Sequence, residues 1–266
     1  MSARTSTELS QYFNYRPLTQ DQRSFYEQQG YLVLPQILTE KGLELARQQC
    51  MKAWGNEKKT YSPDATWLKN ALLQNIHHQA QIVRDYYFNG PLVDVAEQLI
   101  GPNIKSVTSQ LTFKMRGNTK AFPWHQDNGY GELDPYNAVS TLTALDDANE
   151  DNGCLWLIPG SHLQGQFDLK RTNDDIVQGN IIDLDIDDNR SVAMPVKAGD
   201  CLLFNCWMLH KSDGNFAADR DRRILYMRYA DADAVEVYND NQPRLGRLLR
   251  GETRFDAVRQ YEAAMD

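Results

Sequence analysis

Leu202-Leu203-Phe204-Asn205-Cys206-Trp207-Met208-Leu209-His210 is an apolar run that ends on a histidine. Rich in large and aromatic side chains, it reads as a buried strand that delivers His210 at its end. A second histidine stands upstream in Trp124-His125-Gln126-Asp127. On an extended segment residues i and i+2 point the same way, so His125 and Asp127 can aim at one point with Gln126 turned away. Two imidazoles and one carboxylate form the donor set that suits a non-heme Fe(II) with open coordination positions. Those positions admit an organic co-substrate and O2, so the chain reads first as an oxygenase rather than a binding module. A lone His-x-Asp recurs by chance. Its weight here comes from the strand-borne partner, in a chain with only five histidines.

Outward from these residues the texture is β-rich. Short runs at 106–115, 138–145, 154–158, 190–196, 201–209 and 222–230 follow one another, separated by Gly, Pro, Asn and Asp. Closely spaced strands of this kind suggest a sandwich or barrel. Helices come before Gly101. Thr19-Gln20-Asp21-Gln22 resembles a capping box opening a helix through about Gln29. Tyr31 to Leu34 is a short β-like run ended by Pro35. Thr39-Glu40-Lys41 opens a second helix through about Trp54, with Leu43, Leu45 and Ala46 on its apolar side. Pro91 to Ile100 reads as a third helix, with Pro in its first turn and Gly101 at its end. Residues 55–80 give no clear element. The acidic stretch 172–188 reads as a mobile surface insertion, and 252–264 as a terminal helix. The expected class is α+β with a mainly β core, in one domain of 266 residues. Its parts are a helical region at 1–101, a β core at 102–231 and a tail at 232–266.

Acidic residues exceed basic ones, for a net charge of −8. A phosphate backbone needs a basic surface, so nucleic acid is not the expected partner. The N-terminal residues lack an apolar signal-peptide core, and no apolar run is long enough to span a bilayer. A soluble cytoplasmic protein acting on a small molecule, without membrane or nucleic-acid partners, is expected. The four cysteines form no CxxC pair and read as small apolar core residues of a reducing compartment. His77-His78 reads as a poor chelate with a surface role, because neighbouring side chains on a helix do not face each other. Trp124 and Trp156 read as core residues, and His162 as a turn residue bonding nearby backbone.

Five stretches together resemble the phytanoyl-CoA dioxygenase family. They are Pro123-Trp124-His125-Gln126-Asp127, Asn152-Gly153-Cys154-Leu155-Trp156-Leu157-Ile158-Pro159-Gly160-Ser161-His162, Gly199-Asp200, His210-Lys211-Ser212 and Arg222-Arg223. The resemblance covers the chain from Thr19 to about Tyr229, and the stretch 152–162 is the most specific part. It implies a double-stranded β-helix, or jelly roll, flanked by N-terminal helices. It also implies Fe(II) and 2-oxoglutarate, decarboxylated to succinate and CO2 as a substrate is oxidised by O2.

Carried over, the iron ligands are His125, Asp127 and His210. The family's 2-oxoglutarate arginine follows the distal histidine by a set interval that lands on Asp221 here. One inserted residue makes Arg222 the match, with Arg223 behind it, and strand alternation alone does not choose between them. A planar guanidinium can hold the far carboxylate of 2-oxoglutarate through two parallel hydrogen bonds. Ser212 matches a family position touching that carboxylate, and Thr112 and Ser140 would lie near 2-oxoglutarate. Gln110 would lie nearer the substrate. Gln126, Asn128, Tyr130 and Glu132 fall on a loop expected at the mouth of the barrel, where specificity resides. Tyr226 and Arg228 share the face of Arg222 and become candidate substrate contacts. Related halogenases replace the carboxylate of His-x-Asp, so the presence of Asp127 disfavours that chemistry. Two other readings stand beside this one: a cupin-like iron dioxygenase independent of 2-oxoglutarate, and a non-catalytic metal-binding jelly-roll protein.

Overall fold

The computed structural model describes residues 6–57, 72–130, 133–167 and 186–265, with backbone alone at 6 and 129–130. Most of the expected acidic insertion, 172–185, and Glu132 of the expected mouth loop lie outside the described residues. The helices are α1 (Ser6–Leu9), α2 (Gln20–Gln29), α3 (Glu40–Glu57), α4 (Gln81–Asn89), α5 (Pro91–Ile100) and α6 (Asp256–Gln260). The strands are β1 (Tyr31–Leu34), β2 (Leu72–Gln74), β3 (Ile104–Lys114), β4 (Phe122–His125), β5 (Leu133–Asp134), β6 (Ala138–Ala144) and β7 (Leu155–Leu157). They continue as β8 (Val192–Met194), β9 (Cys201–Asn205), β10 (His210–Ser212), β11 (Arg222–Asp231), β12 (Val235–Glu236), β13 (Gln242–Pro243) and β14 (Leu248–Arg250).

A seven-stranded sheet runs β1-β9-β6-β11-β3-β14, with β2 also paired to β3. A four-stranded sheet runs β4-β10-β7-β8, and β13-β12-β5 form a small third sheet. The pairings are antiparallel. Alternation assigns the two faces of the large sheet. Cys201 and Leu203 of β9, with Leu225, Met227 and Tyr229 of β11, pack in one core with Trp54, Ile82, Tyr86 and Val93 of the helices. Leu202 and Phe204 pack in another with Leu155, Leu157 and Met194 of the smaller sheet. Strand β9 is covered on both faces, which is why it reads as a continuous apolar run. The phenols buried beneath the helices keep partners: Tyr86 bonds Thr143 Oγ1 at 2.9 Å and Tyr229 donates to the Tyr87 carbonyl at 3.2 Å. Burying such side chains stabilises by roughly 2–3 kcal/mol each once their hydroxyls are paired.

The capping box is present, with Thr19 Oγ1 accepting from Gln22 N at 3.2 Å and Gln22 Oε1 from Thr19 N at 2.9 Å. Helix α2 ends on Gly30 at φ 81°, where a Cβ would come within 2.3 Å of His162 Nδ1. His162 Nε2 donates to the Glu27 carbonyl at 3.0 Å, so the 159–162 turn docks on the end of α2.

Four expectations need correction. The run 201–209 is not one strand. Asn205 Oδ1 accepts from Trp207 N at 2.9 Å and its carbonyl from Met208 N at 2.8 Å, forming a turn that crosses to the second sheet, where β10 begins at His210. The buried stripe of α3 is Gly42, Ala46, Cys50, Ala53 and Trp54, with Leu43 and Leu45 half-buried. Small residues win because Gly42 lies on the Tyr12 backbone, where a Cβ would fall 2.0 Å from the carbonyl oxygen. Trp124 and Trp156 are not core. They are half-buried and flank the Lys211 ammonium, which sits 5.1 and 5.8 Å from their ring centres. The terminal helix is confined to α6 within the expected 252–264.

Candidate active site

Strands β4 and β10 are neighbours and place His125 directly opposite His210, with ring centres 4.0 Å apart. Each histidine Nδ1 faces a carbonyl two residues back: His125 faces Pro123 O at 2.7 Å, and His210 faces Met208 O at 2.9 Å. A carbonyl only accepts, so both Nδ1 atoms carry a proton and Nε2 is the ring nitrogen left for a metal. Both Nε2 atoms look toward Asp127 Oδ1, at 3.9 Å from His125 and 3.5 Å from His210. The ligand atoms of the three residues lie within 4.8 Å of one another, and all three residues are buried.

Asp127 opens a 3-10 turn directly after β4, which brings its carboxylate back beside His125. Its second oxygen, Oδ2, accepts from Tyr226 Oη at 2.9 Å and from Ser140 Oγ. Oδ1 is thereby the oxygen turned to the histidines. Burial and, after it, the nearby His210 push the His125 imidazole down to about 3 despite the opposing pull of Asp127, so it stays neutral. Burial would raise the Asp127 carboxyl, but His210, His125 and Arg228 outweigh it and hold the group ionised, below the usual carboxylate range. Two imidazole nitrogens and one carboxylate oxygen, each oriented by an outer partner, fit a divalent iron.

The triad lines a cavity of about 360 Å³ between the two sheets. Arg222, Ser212, Thr112, Gln110, Tyr226 and Arg228 also line it. Arg222 and Arg223 part company here. Arg222 is buried, with Nη1 donating to the Gly153 carbonyl at 2.5 Å and Nε without a partner among the described residues. Arg223 points to the other face, its Nε and Nη2 held by Asp146 at 2.8 and 2.6 Å. Burial lowers the Arg222 guanidinium to about 10.

Several expected contacts have different places. Ser140, expected near 2-oxoglutarate, is committed to Asp127. Gln126 is fully buried and pins two loops, donating to Gly165 O at 2.9 Å and Trp207 O at 2.6 Å and accepting from Phe167 N at 2.9 Å. Asn128 is also buried and does not line the cavity; its Oδ1 accepts from Leu133 N at 3.2 Å. Arg228 reaches the cavity wall, yet its Nη2 donates to Asn128 Oδ1 at 2.7 Å and so braces the turn that follows Asp127. The Tyr130 side chain lies outside the described residues.

The sequence reading missed Lys114. Its Nζ donates to Ser212 Oγ at 2.8 Å, to Ser212 O at 3.1 Å and to Asp213 O. Burial and the Arg222 charge push this ammonium down to about 6. The alternation that grouped Thr108, Gln110 and Thr112 on β3 extends to Lys114 and would have found it. Tyr238 and Arg244 also line the cavity. They come from the β12–β13 hairpin, docked on β5, and no local pattern announces that pairing.

Comparison with known proteins places this architecture. Residues 26–224 match the family described as Phytanoyl-CoA dioxygenase (PhyH). A phytanoyl-CoA dioxygenase of Arabidopsis thaliana is 24% identical over 264 residues, covering 84% of this chain and 93% of that protein. The non-heme monooxygenase ThoJ in its apo form superposes with a TM-score of 0.71 at 23% identity, covering 87% of this chain and 84% of that one. EctD from S. alaskensis, crystallised with 2-oxoglutarate and 5-hydroxyectoine, gives 0.67 at 24% identity, covering 91% and 90%. These likenesses show a shared fold of mainly antiparallel sheets. The family depends on Fe(II), 2-oxoglutarate and O2. With its match running from α2 into β11, the chain belongs to the phytanoyl-CoA dioxygenase family.

Proposed function

We propose that the protein is an Fe(II)- and 2-oxoglutarate-dependent oxygenase of a small organic molecule, built on a double-stranded β-helix. His125 Nε2, Asp127 Oδ1 and His210 Nε2 would hold the iron. The observation that carries this reading is the convergence of those three atoms on one cavity wall, with the buried guanidinium of Arg222 in the same cavity. When bound, the iron supplies O2 activation coupled to conversion of 2-oxoglutarate into succinate and CO2, and with it oxidation of a substrate C–H bond, most simply hydroxylation.

The protein's own groups divide the remaining work. Arg222 offers Nε and a terminal N–H to the far carboxylate of 2-oxoglutarate as a planar fork. Ser212 Oγ accepts from Lys114, which leaves its O–H to donate to the same carboxylate. Thr112 Oγ1 donates to the Ile224 carbonyl at 3.2 Å and keeps that wall closed. Tyr226 and Ser140 occupy Asp127 Oδ2, which would leave Oδ1 to hold the metal. Arg228 fixes the turn carrying Asp127. Gln110, one of the polar β3 residues lining the cavity, would meet the substrate.

Two measurements test the reading. Calorimetry of the iron-loaded protein without O2 should show one 2-oxoglutarate bound, and its absence refutes the proposal. A substrate screen spanning secondary-metabolite intermediates and acyl-CoA esters should then show succinate release coupled to substrate loss. Substrate turnover without 2-oxoglutarate would favour the cupin-like alternative.

A further inference from the structure

A second set of metal-donor atoms stands on the face of the large sheet opposite the cavity, at His77, His78 and Glu262. Ser109 locates it: this residue alternates along β3 with Thr108 and Gln110, which line the cavity, and its Oγ lies 2.6 Å from His77 Nδ1. After β2 the chain turns at Asn75, φ 52°, and enters a 3-10 turn at Ile76–His78. Asn75 N donates to the Ser109 carbonyl at 2.8 Å and fixes the turn on β3. Arg84 Nε and Nη2 hold the His77 and His78 carbonyls at 3.0 and 3.3 Å.

The reading of adjacent histidines as a poor chelate assumed an α-helix. In this tight turn the two rings lie 4.2 Å apart, and the third donor arrives from a distant segment. Glu262 follows α6, with Oε1 2.7 Å from His78 Nε2 and Oε2 3.3 Å from His77 Nε2. Glu262 holds this position at φ 51°, a left-handed conformation that a glutamate adopts only at a cost of about 1 kcal/mol or more. The carboxylate and His77 are largely enclosed, at 10% and 5% side-chain exposure, whereas His78 is 41% exposed and leaves one side open. Glu262 lies beyond the residues matched to the family.

We propose that His77, His78 and Glu262 bind a divalent transition-metal cation such as Zn2+, fastening the segment after α6 to the outer face of β3. Two imidazoles and one carboxylate are donors that Zn2+ accepts, with a water completing a tetrahedron on the open side. Ser109 Oγ is the outer partner that orients His77, because a metal at Nε2 leaves Nδ1–H to donate to it. The assignment is independent of the iron reading, since no residue is shared.

The test removes the first triad to isolate the second. The full-length His125→Ala/His210→Ala protein, stripped with chelator, is titrated with Zn2+ by calorimetry and with Co2+ by visible absorption. One equivalent should bind with a Kd below about 10 µM, and Co2+ should give the intense d–d bands of a tetrahedral site. Glu262→Gln or His78→Ala in that background should weaken binding at least tenfold, and the Zn2+-dependent rise in Tm should disappear. Circular dichroism verifies that each variant is folded. As a second measurement, the otherwise native chain should take up two equivalents and its Glu262→Gln variant one. A Kd weaker than about 1 mM overturns the proposal and leaves a polar contact that docks the tail. Binding that survives both substitutions unchanged also overturns it.

Discussion

Replacing Arg222 with alanine should raise the Kd for 2-oxoglutarate thirty- to a thousand-fold and leave iron affinity nearly unchanged. The magnitude follows from what the guanidinium does in the protein. It is 4% exposed, holds one carbonyl through Nη1 and has no described partner for Nε. A carboxylate taking two of its N–H groups forms a charge-assisted pair in a largely dry site, worth roughly 2–4 kcal/mol, or about thirty- to a thousand-fold in affinity. Lys114 cannot take over, because its Nζ is already held by Ser212 O, Ser212 Oγ and Asp213 O. Arg222→Lys should recover only part of the loss, since an ammonium lacks the planar fork. Arg223→Ala should leave 2-oxoglutarate affinity within about twofold and lower stability by about 1 kcal/mol, because its pair with Asp146 is partly exposed to solvent. The assay is calorimetric titration of 2-oxoglutarate into each iron-loaded variant without O2, with iron affinity measured in parallel. A large effect at Arg223 with none at Arg222 would move the anchor; no effect at either would refute the anchoring argument.

Four further outcomes follow from the site. His125→Ala, Asp127→Ala and His210→Ala should each abolish turnover and weaken Fe(II) binding in a folded protein; activity retained in two of them would refute the triad. Tyr226→Phe removes a hydrogen bond to Asp127 Oδ2 and should weaken iron binding about tenfold, as outer partners of metal ligands do; unchanged affinity in an iron titration would show that Ser140 alone suffices. The metal-free protein should lose stability as pH falls from about 6.5 toward 4, because His125 and His77 stay neutral when folded but protonate near 6.5 when unfolded. The unfolded chain then binds up to two more protons, giving a slope of at most about 2.7 kcal/mol per pH unit, and urea midpoints that are flat across this window would contradict it. Gly153→Ala meets φ 81° and an Asp213 carbonyl 2.5 Å from the new Cβ. It should destabilise the fold by about 2–4 kcal/mol and weaken 2-oxoglutarate binding through Arg222, as chemical denaturation and the same calorimetry would reveal.

The sequence carried the donor residues and the alternation that orders them. Asp127 reaches His125 through a 3-10 turn after β4 rather than along an extended strand, whereas positions 222, 224, 226 and 228 share a face of β11 and were legible from period alone. The break at Asn205 was not. A strand apolar on both faces merges with the apolar turn after it, and only the Asn205 side chain marks the corner. Helix α4 escaped for a related reason. Six of its nine residues are buried, so the polar stripe of Gln81, Arg84 and Asn89 is too narrow to stand out, and Ala80 gives no side-chain cap. Gln126, Asn128 and Ser140 were expected at the mouth loop or the co-substrate, and their hydrogen bonds run to Gly165, Trp207, Phe167, Leu133, Arg228 and Asp127. Period fixes the face of a strand, whereas whether a side chain meets a cavity or a loop depends on chain brought in from elsewhere, here Gly165, Trp207 and Arg228.

The strand order of the large sheet also constrains how the chain reaches its folded state. Tyr31 pairs with Phe204, and Lys105 pairs with Leu248, so both margins of the sheet join segments far apart in sequence. A ribosome releases β1 long before its partner β9 exists, and β3 long before β14. Contacts of such high order fold slowly, because the entropy of closing long loops is lost before the pairing rewards it. In the interval, Tyr31-Leu32-Val33-Leu34 of β1 would present unpaired backbone beside apolar side chains, the combination that recruits other chains. Overexpression should therefore drive aggregation during synthesis more than after it, and chaperone supply should raise the soluble yield without altering the stability of the finished protein.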